Sequence, residues 1–164
     1  MLSRTLQDAV NQQIKNELFS AYLYLAMSAH FEAQALPGFA KWMRLQAKEE
    51  VKHAMKLFDF INDRGGRVTL EAIEKPPVEF KGCADVMAQV LEHEKKVTGM
   101  IHSLYAQALK ESDYPAQVML HWFIDEQVEE EKIAADILAE LKMVGYSPAG
   151  IVMVDRELGK RGEE

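Results

Sequence analysis

The chain has 164 residues, 48% of them apolar and 27% charged, with 26 acids against 19 bases and a formal net charge of -7. The length fits one domain spanning 1–164, and nine Gly and five Pro are too few for a β-rich or disordered chain. The Lys and Arg are scattered instead of forming the basic patch that phosphate binding needs, which argues against nucleic acid as a partner and suits cations better. One cysteine, Cys83, excludes an internal disulfide, a zinc finger and a two-thiol redox motif, and favours a reducing compartment. No stretch supplies the ~18 charge-free apolar residues of a membrane span, and the first residues do not read as a leader, so the expectation is a cytoplasmic protein with no membrane partner.

In chain order, the first helix is expected from about residue 5 to 34, ended by Ala35-Leu36-Pro37-Gly38. The second runs from about 38 to 64 and stops at Gly65-Gly66. The connection from Gly65 to Gly82 is longer than a hairpin loop, and its length permits a crossover along a bundle, which leaves the second and third helices parallel. The third helix is expected from Cys83 to Glu111, and Ser112-Asp113-Tyr114-Pro115 signals the start of a fourth that ends near Gly145. Ser147-Pro148-Ala149-Gly150 opens a short fifth helix before the charged run from Gly159 to Glu164. Long helices of about 27 to 30 residues, ~40 to 45 Å each, predict an all-α four-helix bundle over 1–145, with a short helix and tail over 146–164.

Alternating steps of three and four residues trace the buried face of each helix. On the first the stripe reads Leu6, Val10, Ile14, Glu17, Ala21, Tyr24, Ser28, Phe31, and on the second Phe39, Met43, Gln46, Glu50, His53, Leu57, Phe60. The third gives Cys83, Met87, Val90, Glu94, Val97, Ile101, Leu104, Ala108, and the fourth Leu120, Phe123, Gln127, Glu130, Ala134, Ile137, Leu141. Every stripe is interrupted about halfway by an acid, and none carries Lys or Arg. Buried carboxylates without a basic partner cost on the order of several kcal/mol each and repel one another, and a bound cation resolves this. Oxygen ligands with one imidazole and no thiolate suit Fe(II) or Mn(II) better than structural zinc. Glu17, Glu50, His53, Glu94, Gln127 and Glu130 are enough for two divalent ions bridged by Glu50. Tyr24 reads equally as a core aromatic or as a hydrogen-bonding or redox neighbour of the metals, and Trp42 and Trp122 read as packing.

The stretches Asn16-Glu17-Leu18-Phe19-Ser20-Ala21-Tyr22-Leu23-Tyr24-Leu25, Glu49-Glu50-Val51-Lys52-His53-Ala54-Met55 and Glu126-Gln127-Val128-Glu129-Glu130-Glu131 resemble the bacterial-type non-haem ferritins over the whole chain. The resemblance implies iron storage. A hollow homo-oligomeric shell of about 24 subunits would take in Fe(II), oxidise it with oxygen or hydrogen peroxide at an in-bundle ferroxidase centre, and hold the Fe(III) mineral. By motif, Glu17, Glu50 and His53 would hold the first iron, Glu50, Glu94 and Glu130 the second, and Gln127 would lie beside the second. Glu49, Glu126 and Glu129, sharing Glu130, match the third iron position of these ferritins, which implies about two to three ions per subunit. Spacing alone leaves those three as a possible solvated acidic face. Bacterioferritins carry a haem-ligating Met after the Glu of the Glu-x-x-His motif and a second such motif on the last long helix; Val51 and Ile133 stand there, so no haem is expected. The competing readings are a di-iron oxygenase or peroxidase without storage, a cytokine-like signalling bundle, and a static metal-binding scaffold.

Overall fold

The computed structural model describes residues 1–162 and contains five helices and, among the described residues, no strand. They are α1 (Arg4–Ala33), α2 (Pro37–Asp63), α3 (Cys83–Lys110), α4 (Tyr114–Val144) and α5 (Pro148–Leu158). Their ends fall within a residue or two of the expected breaks. The final two acids of the expected charged run lie outside the described residues. No helix among the described residues is long and apolar enough to cross a membrane.

Local chemistry fixes the starts. Ser3 Oγ accepts from the Leu6 amide at 3.0 Å, Asp113 Oδ1 from the Ala116 amide at 3.1 Å, and Ser147 Oγ from the Gly150 amide at 3.3 Å. Each satisfies one of the amides that a helix N-terminus leaves without an intrahelical partner. The N-cap of α2, Leu36, has no such side chain. Its first turn is completed from a distance: Asp155 Oδ1 on α5 accepts from the Phe39 amide at 2.9 Å. Gly38 makes that approach possible, since a Cβ there would lie 1.7 Å from the Asp155 carbonyl oxygen.

The segment between α2 and α3 climbs the side of α1. Arg67 N donates to Gln7 Oε1, Thr69 N donates to Asn11 Oδ1, Lys15 pairs with Glu74, and Phe80 packs on His30. Because α1 and α2 form a hairpin, a strap running from Gln7 to His30 returns the chain to the end where α2 began, and α3 starts parallel to α2. The Arg64 guanidinium grips both oxygens of Asp113 at 2.8 and 3.0 Å, tying the end of α2 to the start of α4.

The apolar core comes in two halves. One contains Met27, Phe31, Phe39, Met43, Met87, Val90 and Leu141; the other contains Leu6, Val10, Ile14, Leu57, Ile61, Ile101, Leu120 and Phe123. The interrupting polar positions of all four stripes lie between them. Two ends of the expected stripes drift: Phe60 and Cys83 are only partly buried, while Ile61 and Val86 are fully buried in their place. A helix of 3.6 residues per turn slips against a strict three-and-four walk over this length, and the error gathers at the ends.

Candidate metal centre

Four helices bring Glu17, Glu50, His53, Glu94, Gln127 and Glu130 to one level, each at most 6% exposed. Apolar neighbours at three- and four-residue spacing carry each polar side chain inward, because the helix cannot bury Ile14 and Ala21 without burying Glu17 between them.

His53 stands at the middle. Its Nδ1 lies 3.3 Å from Glu50 Oε2 and 3.9 Å from Glu17 Oε2, while its Nε2 lies 3.7 Å from Glu126 Oε1. Two donor sets therefore meet at the imidazole. Glu17, Glu50 and His53 present one ligand atom each within 4.8 Å of one another, and so do Glu49, His53, Glu126 and Glu130. Glu94 belongs to neither set; its Oε1 accepts from the Tyr24 hydroxyl and its Oε2 from Gln127 Nε2 at 3.1 Å. The Gln127 amide also reaches the Glu94 carbonyl and Thr98 Oγ1, both at 3.2 Å. Glu129 is exposed and outside both sets, although its charge is felt by Glu126. Tyr24 is both things the sequence allowed, a fully buried core aromatic and a hydrogen-bond partner of Glu94.

The donors fit a hard cation. Glu17 Oε2 is buried without a hydrogen-bond partner, whereas its Oε1 accepts from Gln13 Nε2 at 2.7 Å. A buried carboxylate oxygen with no hydrogen-bond donor, beside a second acid and an imidazole, is a donor arrangement that fits an oxygen-loving ion.

Electrostatics says the same. Burial pushes the Glu17 carboxyl well above its usual range, with the Glu50 charge adding to it. Glu50 is raised well above its range by burial and then by Glu94, and Glu94 is raised by burial. Glu130 is lifted to about 7 by burial and the Glu94 charge. Tyr24 is driven well up by burial and by Glu94. Such a group of acids holds protons when no cation is present and gives them up to one that binds.

Several participants were not legible as such in the sequence. Gln46 lies on the stripe of α2 one turn before Glu50; its Nε2 donates to Glu130 Oε2 at 2.6 Å and lies 3.5 Å from Glu50 Oε1. Gln13 lies one turn before Glu17, and its position at i−4 was the available signal. Trp122 is not core packing: it is 38% exposed, sets its ring edge-on to His53 with centroids 5.3 Å apart, and carries Lys56 over its face. No Lys or Arg is on the stripes, yet Arg161 reaches the acids from the C-terminal segment, its Nη2 lying 3.9 Å from Glu49 Oε2.

Comparison with known proteins identifies the family. The family model for the ferritin-like domain matches residues 7–144. A bacterial non-heme ferritin of Bacteroides fragilis is 40% identical over 161 residues, covering 98% of this chain and all of that protein. A probable bacterial non-heme ferritin-like protein of Haemophilus influenzae is 38% identical over 97% of this chain and 96% of its own length. Among solved structures, an open-pore ferritin from the hyperthermophilic archaeon Archaeoglobus fulgidus superposes with a TM-score of 0.97 at 43% identity, covering 98% of this chain and 99% of that one. A closed form of the same archaeal ferritin, engineered by site-directed mutagenesis, gives 0.97 at 44% identity over 98% of both chains. The family match spans residues 7–144, from the first turn of α1 to the end of α4, and the chain belongs to the ferritin-like family.

Proposed function

We propose that this protein stores iron, oxidising Fe(II) inside each helical bundle and passing Fe(III) to a mineral held in a hollow homo-oligomeric shell of about 24 subunits. The observation that carries the reading is the buried acid layer: Glu17, Glu50 and His53 meet within 4.8 Å, and one oxygen of Glu17 has no hydrogen-bond partner. Iron is substrate here. Glu17, Glu50 and His53 hold the first ion; Glu50, Glu94 and Glu130 hold the second, with Gln127 orienting Glu94. Glu49, Glu126 and Glu130 form a third position, on whose outer side Glu129 adds charge.

The chain supplies charge, geometry and protons. Carboxylates favour the more highly charged Fe(III), which makes loss of an electron easier, and a shared Glu50 keeps two ions close enough for each to give one electron to a single molecule of oxygen or peroxide. Carboxyls raised by burial release protons as Fe(II) binds, next to an oxidant that needs them on reduction. One imidazole, where a second Glu-x-x-His would supply another, leaves ions loosely held and able to move on. Names of the relatives and the superposition on archaeal ferritins support storage over a di-iron oxygenase with a separate organic substrate. A reducing, cytoplasmic setting completes the reading, as the lone cysteine suggests.

The test is the double variant Glu50→Ala/His53→Ala. Its helical content should match the parent, and the rapid phase of Fe(II) oxidation in air should disappear; an unchanged initial rate refutes the assignment. Light scattering before and after iron loading reports the shell. Soluble particles near 24 subunits taking up hundreds of ions would support storage, whereas saturation at about two ions in a small oligomer would overturn it.

A further inference from the structure

Arg161 follows α5 by three residues and folds back onto α2. Its Nη1 donates to Gln46 Oε1 at 3.0 Å and to the Trp42 carbonyl at 3.4 Å, and its Nη2 lies 3.9 Å from Glu49 Oε2. The guanidinium also covers the Trp42 ring, 4.9 Å from the centroid. These contacts do two things. They set one positive charge against Glu49, which is also a donor of the Glu49, His53, Glu126 and Glu130 set. They also fix the Gln46 amide: with Oε1 accepting from Arg161, Nε2 must face inward, where it donates to Glu130.

A cation bound by Glu49 and the Arg161 guanidinium draw on the same carboxylate. Arg161 has room to move, since its side chain is 26% exposed and borders a cavity of about 430 Å³ lined also by Trp42, Ile133, Ile137 and Leu158. We infer that Arg161 is a tethered counter-cation at the third iron position: it occupies Glu49 and orients Gln46 until an iron ion displaces it, and by competing with that ion it shortens the ion's stay. The inference rests on the third position proposed above. It gives the C-terminal segment a role in moving iron onward, because an ion must be bound weakly there to leave for the mineral. An Arg held by one carboxylate, one side-chain amide, one backbone carbonyl and one aromatic face is a competitor of suitable strength, favourable enough to return and exposed enough to be displaced.

The experiment uses the assembled protein, freed of iron, in a Trp122→Phe background, so that Trp42 is the remaining tryptophan. Zn(II) is titrated by calorimetry at constant pH, and Trp42 emission is followed in parallel. Loss of Arg161 should tighten the weakest bound ion by roughly three- to tenfold in Arg161→Ala, reflecting removal of one partly exposed ion pair and the hydrogen bonds to Gln46 and the Trp42 carbonyl. Arg161→Lys, which keeps the charge but lacks the fork that spans Gln46 and Glu49, should give an intermediate affinity. Trp42 emission should change on filling the weakest site in the parent and stay constant in Arg161→Ala. An affinity in Arg161→Ala equal to or weaker than the parent's overturns the inference, as does a parent whose Trp42 emission ignores that ion. Glu49→Ala separates the two levels of the argument: it should remove the weakest site. Retention of that site in Glu49→Ala refutes the third position itself, while its loss together with an unchanged Arg161→Ala refutes only the role of Arg161.

Discussion

In the absence of metal, raising the pH from about 6.5 to 8 should destabilise this protein. Glu130 carries the effect most measurably, because its carboxyl is lifted from 4.5 to about 7 by burial and by Glu94. The native state holds this proton more tightly than the unfolded chain does, so stability is full below pH 4.5, falls as the pH rises through 7, and levels off above it. Over pH 5 to 8 a shift of this size corresponds to about 2 to 3 kcal/mol from Glu130 alone. Glu17, Glu50 and Glu94 are shifted in the same direction and steepen the fall. Glu74 and Asp113 are lowered by Lys15 and Arg64, so their titration lies mostly below this window. His93, lowered by burial to about 4, works the other way and adds stability as the pH rises to about 6.5, so the net fall belongs to the range above that pH. Urea unfolding in chelator, at half-unit steps from pH 5 to 8, measures the slope. Glu130→Gln keeps the volume and an acceptor for Gln46, removes the charge, and should reduce the loss by about 2 to 3 kcal/mol. Saturating Zn(II) should reverse the trend in the parent, since deprotonated acids bind metal and the ion then stabilises the folded form. A metal-free protein that grows more stable from pH 6.5 to 8, or a Glu130→Gln variant with the parental slope, would refute the claim that these acids are buried without compensation.

Gly38→Ala would normally strengthen a helix by about 1 kcal/mol, but the new Cβ meets the Asp155 carbonyl oxygen at 1.7 Å, so a net loss of about 1 to 3 kcal/mol is expected from thermal unfolding. A stabilised variant would show that α5 is not seated against α2. Tyr24→Phe leaves Glu94 Oε1 without its donor and should cost about 1 to 3 kcal/mol in metal-free protein at pH 8, with most of it recovered by Zn(II). Failure to recover would mean that Tyr24 acts through packing alone. Asp113→Ala removes both the cap of α4 and the partner of Arg64, and should lower stability by about 1 to 2 kcal/mol, more than Arg64→Ala does. The reverse order in urea unfolding would refute the capping account.

Helix existence, helix limits and the level of the acid layer were all legible in the sequence, because each depends on local spacing. Asp113 and Ser147 announce helix starts because the side-chain oxygen of each accepts from the amide three residues on, and Glu17, Glu50, Glu94 and Glu130 stand on stripes whose period the helix itself imposes. The family was equally legible, since its motifs are short and local. Tertiary structure decided which acids meet which. Both nitrogens of His53 face carboxylates, one set from α1 and α2 and the other reaching α4, and helix rotation settles this to within an ångström where a stripe does not. It also decided the long-range partners: Asp155 completing the first turn of α2, Arg161 reaching Glu49 and Gln46, and Trp122 turning its edge to His53. More than a hundred positions separate the members of the first two pairs, and no periodicity links them. They meet because a short helix needs an apolar surface to lie on, and the surface available to α5, beside Gly38, carries the segment that follows it to the edge of the acid layer.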